Sequence, residues 1–386
     1  MTKKKNIAFV ECSSGFGGSA KCVYQFVTAM NASEFQPFVF CSKIVGWFES
    51  LQRLNSCLTT PTGYIPENSV AKPALINRYI FKAASLCRLV LRSIYFYREF
   101  KKYDIQLAHS NNNIYEHIPV VIACKLLHIP VVCHLHDQTP PTALEKLFIP
   151  LVDKFFVLSA SAQDIFSRNI PISKLHVIRN GLLVSEYDSC PGTEATISHP
   201  AIGVVGRLIP WKGQETLIKS APLILRDFPS ARFYVIGDDP GGDKTYGDYL
   251  KKLVVDLHIE ESVFFTGWIN DPRNIIKELD ICVCTSTDPE PFGLVLLESM
   301  LLGTLVISTR HGGPLDIIQE GMDGFFYRPG DHEELSKLII SILNDSSLAD
   351  KLVETARNKV MKYYDVAHIM GEIQAVYTDL ISGSVQ

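Results

Sequence analysis

The chain has 386 residues, 47% apolar and 20% charged, which is longer than one hydrophobic core usually organises and too apolar for a disordered chain, so two domains are expected. Its formal net charge of −4 hides an asymmetry: residues 1–190 carry 20 Lys and Arg against 13 Asp and Glu, and the remainder 17 against 28, so the basic half points toward something anionic. Ten cysteines lie scattered in apolar runs such as Asp280-Ile-Cys-Val-Cys-Thr285 with no CxxC pair, which argues against a zinc site or a disulfide framework and for buried thiols in a reducing compartment.

At the N-terminus, Lys3, Lys4 and Lys5 precede an apolar run that Glu11 interrupts, so the run reads as a first strand and not a signal peptide. No uncharged apolar stretch approaches the ~18 to 20 residues that span a bilayer, and a cytoplasmic protein is expected. Short β-rich runs then alternate with helical patterns throughout, the signature of an α/β chain with parallel sheets wrapped in helices. In the first half the strands are expected at Asn6 to Glu11, Pro37 to Lys43, Ile105 to Ser110, Val131 to Asp137, Lys154 to Ser159 and Leu175 to Ile178. In the second half they are expected at Ala201 to Gly206, Arg232 to Gly237, Val263 to Gly267, Ile281 to Ser286, Leu305 to Thr309 and Phe325 to Tyr327. Each set makes one doubly wound, Rossmann-like sheet. Turn formers fill Asn180 to Thr196. The domains are therefore set at 1–182 and 200–365, with a linker at 183–199 and a last helix, 366–386, crossing back to the first domain. Ligands of open parallel sheets sit beyond the carboxyl ends of the strands, so two such domains would face each other across a cleft with their motifs at strand ends.

Between Pro73 and Asp104, cations (Arg78, Lys82, Arg88, Arg92, Arg98, Lys101, Lys102) interleave with large apolar residues such as Leu89, Leu91, Tyr95 and Phe96. A helix of this kind suits an anionic membrane surface, which would make the protein peripheral on the inner face of the membrane. A solvated helix packed on the first sheet fits equally well.

Three constellations carry chemistry. The first is Gly15-Phe-Gly17-Gly18-Ser-Ala20, between the first strand and a helix, where bare amides approach phosphate. It also fits the GxGxxA dinucleotide fingerprint, but the second strand ends Cys41-Ser42-Lys43 without the acid that would hold a ribose. A lysine there suits a ribose 2′-phosphate, so a dinucleotide-dependent oxidoreductase stays open, as does a tight turn needed only for helix packing. The second is Gly206-Arg207-Leu-Ile-Pro-Trp-Lys212-Gly213, two cations and a helix start at a strand end, a setting for a diphosphate or simply an exposed charged loop. The third is Asp288-Pro-Glu290-Pro-Phe292-Gly293-Leu-Val-Leu-Leu-Glu298. Its prolines hold Glu290 in a loop, and the amides of Gly293, Leu294 and Val295 open a helix. Glu298 falls among Leu and Met, where a carboxylate is costly unless it binds something; two carboxylates bracketing a helix start suit the hydroxyls of a sugar and a ribose. His134 and His136 share one face of a strand, yet no third ligand of compatible spacing follows, and Asp238-Asp-Pro-Gly-Gly-Asp243 reads as a surface turn, so no metal is expected.

Taken in order, these motifs resemble the family 4 retaining glycosyltransferases of the GT-B fold (glycosyl transferases group 1). The resemblance covers nearly the whole chain. It takes in the Gly-rich loop, His136-Asp137, Val177-Ile-Arg-Asn180-Gly181, the Arg207 and Lys212 pair, the Glu-x7-Glu element, and Thr309-Arg-His-Gly312-Gly313. It implies that Arg207 and Lys212 bind the diphosphate of a nucleotide diphosphate sugar donor, with Gly206 and Gly213 framing them. It further implies that Glu298 binds the ribose, that Glu290 holds the sugar hydroxyls with the backbone from Phe292 through Gly293, Leu294 and Val295 close by, and that the base lies near Gly237 and Trp268. Gly17 and Gly18 would close over the donor, and His136 would contact the transferred sugar. His109 and Asn180 would stand on the interdomain or acceptor side.

The implied activity is a metal-independent, cofactor-free transfer of the hexosyltransferase type to a glycan or lipid-linked acceptor in surface polysaccharide or glycolipid synthesis, with no nucleic-acid partner. A GT-B sugar-nucleotide epimerase and a non-catalytic binding protein are the remaining alternatives.

Overall fold

The computed structural model describes residues 3–11, 17–41, 44, 46–53, 58–61, 78–188, 197–238 and 244–383, with backbone alone for 53, 58–61, 78–84 and 346. Gly15 and Phe16 of the first loop, Lys43, the turn residues 239–243, residues 73–77 of the basic segment and linker residues 189–196 lie outside these. The chain forms two compact units: Met1–Gly181 with Val366–Gln386, and Leu182–Asp365.

In the first unit the elements run β1 (Lys5–Glu11), α1 (Gly18–Ala29), β2 (Phe35–Cys41), α2 (Trp47–Arg53), β3 (Leu58–Pro61), α3 (Arg78–Lys102), β4 (Leu107–Asn112), α4 (Ile114–Leu127), β5 (Val131–Leu135), α5 (Ala143–Lys146), β6 (Lys154–Val157), α6 (Ala160–Ser167) and β7 (Leu175–Val177). Its strands pair in parallel in the order β3-β2-β1-β4-β5-β6-β7. Strands covered on both faces read as continuous apolar runs, and in β1 Ile7 to Glu11 are all buried. The seventh strand, β3, was not expected, because Leu-Thr-Thr-Pro is too short to show a period. The ladder of β5 stops at Leu135, so His136 and Asp137 leave the sheet as a loop.

In the second unit α7 (Ser185–Asp188) leads into β8 (Ala201–Val205), α8 (Gln214–Asp227), β9 (Arg232–Ile236), α9 (Thr245–Asp256), β10 (Val263–Gly267), α10 (Arg273–Lys277), β11 (Ile281–Cys284), α11 (Leu294–Leu302), β12 (Leu305–Thr309), α12 (Pro314–Ile317), β13 (Phe325–Tyr327), α13 (His332–Leu343) and α14 (Ser346–Tyr363). The six-stranded parallel sheet has the order β10-β9-β8-β11-β12-β13. Both sheets are doubly wound. The chain reverses its direction of travel across the sheet between β1 and β4 in one unit and between β8 and β11 in the other, and ligands bind beyond the carboxyl ends of the strands at such switch points.

The last helix, α15 (Val366–Gly383), belongs to the first unit. Val366, Ile369, Met370, Ile373 and Tyr377 recur at helical spacing and are buried. Tyr377 packs edge-on against Phe35 at 6.3 Å and its hydroxyl meets His109 Nδ1, while Lys5 Nζ donates to Thr378 Oγ1 at 3.3 Å.

Candidate active site

In the second unit the site grows from the end of β8. Gly206 follows the strand, Arg207 is exposed, and a single turn, Pro210–Lys212, ends in Gly213 at φ 62°. A Cβ on Gly213 would stand 2.2 Å from the Thr285 carbonyl oxygen, so only glycine lets the start of α8 pass the end of β11. That contact is stitched on both sides. Thr285 Oγ1 donates to the Lys212 carbonyl at 2.6 Å, and the Thr287 amide donates to the Trp211 carbonyl at 2.8 Å.

The stitching brings two of the expected residues together. Lys212 Nζ lies 2.6 Å from Glu290 Oε2 and 4.4 Å from the centre of the Trp211 ring, and Ser286 Oγ donates to the same Glu290 oxygen at 2.8 Å. The two charged side chains are only 23% and 11% exposed, so each would be costly to bury without the other.

The loop carrying Glu290 is moulded by Thr309 to Gly313. The Gly313 amide donates to the Glu290 carbonyl at 2.7 Å, and His311 Nε2 donates to the Ser286 carbonyl at 2.9 Å. A Cβ on Gly313 would lie 2.4 Å from Phe292 Cα, and one on Gly312 2.5 Å from the Glu290 oxygen. Phe292 is itself buried, its ring 6.3 Å from that of Tyr364, and so anchors the loop by its side chain. Gly293, at φ 104°, then opens α11 with no side-chain cap and no acidic residue in the first turn. The amides of Leu294 and Val295 are helix-start donors beside half-buried side chains, a setting that favours an anion.

Glu298 is buried in the second turn of α11 among Leu296, Leu297 and Met300. Burial and the Glu298 carboxylate beside it push the Tyr187 phenol well above its ordinary range. The Arg273 guanidinium covers the Tyr187 ring at 5.3 Å and is held by Asp271 at 2.6 Å. At the ends of β8, β9 and β10, Gly206, Gly237 and Gly267 present bare backbone. The Gly237 amide donates to the Gly267 carbonyl at 3.1 Å, and a Cβ on Gly237 would fall 2.2 Å from the Gly206 oxygen. Trp268 follows directly, its indole exposed and donating to Asn270 Oδ1 at 2.8 Å.

In the first unit Gly17 caps α1 in extended conformation, and a Cβ placed there meets nothing within 4 Å; Gly18 is the first helical residue. His136 is half-buried, with Nε2 2.7 Å from Asn111 Oδ1, its amide donating to the Asn112 carbonyl at 3.0 Å, and its ring 4.5 Å from that of His134. His134 points into the core, its ring stacked 5.7 Å from Phe26. Among the described residues no group of three His, Cys, Asp or Glu side chains is arranged to hold a metal. His109 departs from the expectation of an acceptor-side group. It has no exposed surface, stacks 5.1 Å from Phe9 and meets Tyr377, because the β4 register points it into the sheet's covered face. Asn180 is also buried, just beyond β7, and its Oδ1 has no hydrogen-bond partner among the described residues.

The two halves match two family profiles, Glycosyltransferase Family 4 over residues 16–185 and Glycosyl transferases group 1 over residues 197–359. The chain belongs to the family 4 glycosyltransferases. An uncharacterized glycosyltransferase of Methanocaldococcus jannaschii is 32% identical over 221 residues, 54% of this chain and 55% of that protein. The lipopolysaccharide core biosynthesis glycosyltransferase LpsE of Rhizobium meliloti is 35% identical over 155 residues, 40% of this chain and 43% of LpsE, so the chain spans about half the length of these curated relatives. Anabaena HepE, solved in complex with UDP-glucose, superposes with a TM-score of 0.80 at 22% identity, covering 97% of this chain and 99% of HepE. The fold is GT-B.

For this family 4 chain, reading the sequence missed Ser286, Thr285, Tyr187 and Arg273. Ser286 and Thr285 stood in the expected strand Ile281 to Ser286, whose ladder ends at Cys284 and frees them to hold the loop. Tyr187 lay in the expected linker and Arg273 in a five-residue helix, and neither place carries a pattern.

The first unit also holds a titration signature. Burial holds His109, His117 and His136 at about 3 and His134 well below its usual value, whereas an unfolded histidine titrates near 6.5. Above pH ~6.5 both states are neutral and the stability is whole; as pH falls toward 3 only the unfolded chain takes protons, and stability is lost. Each histidine contributes a slope of up to about 1.4 kcal/mol per pH unit. Asp137, pushed up to about 6 by burial, works in the opposite sense, but it is one group against four. Hydrogen exchange in β4 and β5 should show their opening free energy falling steadily from pH 7 to pH 5. A flat or rising profile would count against neutral buried imidazoles.

Proposed function

We propose that this chain is a retaining glycosyltransferase that moves a sugar from a nucleoside diphosphate to a hydroxyl of a glycan or lipid-linked acceptor, without a metal. The observation that carries this reading is the Lys212 and Glu290 contact at the strand-end edge where α11 begins. A cation, a carboxylate and uncapped helix amides suit a ligand that is anionic at one end and a polyol at the other. Arg207 and Lys212 take the diphosphate, the amides from Gly293 to Val295 its oxygens, Glu290 the sugar hydroxyls and Glu298 the ribose. The glycine shelf of Gly237 and Trp268 receives the base. His136 contacts the transferred sugar, and Gly17 and Gly18 approach the donor.

In the reaction the bond from the anomeric carbon to the diphosphate oxygen breaks while the acceptor hydroxyl attacks the same face. Negative charge grows on the departing phosphate, and Arg207, Lys212 and the α11 amides are the groups that would stabilise it. A phosphate oxygen takes the acceptor proton, and Glu290 holds the sugar without attacking it. The relation to LpsE, named for lipopolysaccharide core biosynthesis, supports a surface-glycan acceptor. UDP-sugars are the first donors to test, since HepE is solved with UDP-glucose. With a panel of nucleotide sugars, one donor should be hydrolysed or transferred by the wild type with retention. Lys212→Ala should lower kcat/KM by about 10² to 10³, the range of a lost oxyanion donor. Donor altered at the sugar with no acceptor present would indicate an epimerase instead, and near-normal turnover in the variant would remove Lys212 from the site.

Helix α3 supports contact with an anionic membrane. Its Ser93, Phe96 and Phe100 are buried, while Leu86, Val90, Leu91 and Ile94 are exposed, alongside the exposed cations Arg88, Arg98, Lys101 and Lys102. Exposed apolar side chains interleaved with cations on one helix suit a lipid headgroup layer. Among the described residues no helix is long and apolar enough to cross a membrane. Leu86→Ser with Leu91→Ser should lower cosedimentation with vesicles containing anionic lipid, and unchanged partitioning would exclude this face.

A further inference from the structure

Glu11 closes β1 as a carboxylate with no exposed surface, and Asn111, next to last in β4, is buried almost as deeply; the parallel register sets them side by side at the switch point. Asn111 Nδ2 donates to Glu11 Oε2 and, at 3.1 Å, to the carbonyl of Ser19 in the first turn of α1. Asn112 Nδ2 donates to the other Glu11 oxygen at 3.4 Å. Asn112 is held at φ 119°, a conformation that non-glycine residues rarely adopt and that persists only when its surroundings impose it. One carboxylate therefore holds both asparagines. They in turn hold His136, Asn111 Oδ1 through the ring at 2.7 Å and the Asn112 carbonyl through the amide at 3.0 Å.

The chemistry of these partners fixes the ring. A carbonyl only accepts, so the side of the Asn111 amide that faces Ser19 and Glu11 must be the nitrogen, and the side that faces His136 must be the oxygen. His136 Nε2 must then carry the hydrogen, which leaves Nδ1 as the lone-pair nitrogen. We propose that Glu11 and Asn111 are positioning residues that lock His136 in its Nε2–H tautomer and tie that ring to the start of α1 beside Gly17 and Gly18. The value of the lock to transfer rests on the reading above, in which His136 meets the sugar; the lock itself does not.

The tautomer is read directly by nitrogen-15 NMR of histidine-labelled protein at pH 7, with His136 assigned through His136→Gln. The wild type should show the Nε2–H form alone. Asn111→Leu, which removes the acceptor, should show a mixture, and so should Glu11→Leu, which removes the two oxygens that orient Asn111 and Asn112; a single Nε2–H form in folded Glu11→Leu would take Glu11 out of the lock. An Nδ1–H ring in the wild type overturns the proposal and needs no variant to be folded; an unchanged ring in folded Asn111→Leu overturns it as well. In turnover, Asn111→Leu should lower kcat by about ten- to a hundredfold, the scale of a misplaced contact group. Glu11→Leu should lower kcat on the same scale, and adding Asn111→Leu to His136→Gln should cost nothing further. A mixed tautomer with unchanged kcat leaves the lock standing and takes His136 out of the reaction.

Discussion

The contact between Lys212 and Glu290 is the constraint around which the second unit's site is arranged. A lysine and a glutamate this far out of water gain little net stability from pairing, since desolvation offsets the attraction. What the structure invests in the pair is backbone. Gly213 allows the cation's turn to slide under β11, Thr285 and Thr287 fasten it there, and Gly312 with Gly313 presses the Glu290 loop from the other side. Three segments, residues 211–213, 285–292 and 311–313, converge to hold two opposite charges at the edge of a sheet. Such an arrangement suits a ligand that takes over part of the pairing.

The first unit applies the same strand-end logic with one carboxylate among neutral groups. Its central strands end in Glu11, in Asn111 and Asn112, and in the His136 loop, all hydrogen-bonded to one another at the β1/β4 switch point. Burial keeps His136 uncharged there, so around the Glu11 carboxylate this edge offers a set of directed donors and acceptors. The apolar core beneath, with Phe40 packed edge-on against Phe96 and Phe100 at 6.2 and 5.4 Å, gives those groups a rigid floor.

Much of this was legible before any coordinates. Twelve of the strands announce themselves as apolar runs because a parallel strand is covered on both faces, and only Leu58–Pro61 is too short to do so. The Glu290 to Glu298 spacing and the Arg207 to Lys212 spacing are visible because each lies within one strand–loop–helix unit. Partnerships across strands are not. That Lys212 pairs with Glu290, that Glu11 holds Asn111, or that Tyr187 lies between the Arg273 guanidinium and the influence of Glu298 depends on tertiary packing, and one sequence carries no record of which segments are neighbours. His109 shows the converse: the family resemblance put it on the interdomain or acceptor side, while the β4 register sends it inward to Tyr377.

On the proposed function, Lys212 is partly neutralised by Glu290 until a donor arrives, and calorimetric titration of Glu290→Gln with UDP and GDP tests this most directly. Removing the carboxylate charge leaves the ammonium free for phosphate, so the nucleoside diphosphate that binds the wild type should bind the variant several-fold more tightly. The added affinity that the wild type gains from an attached sugar should at the same time be lost. Equal or weaker diphosphate binding in the variant would contradict the account, because Lys212 would then not be the group that the two anions share.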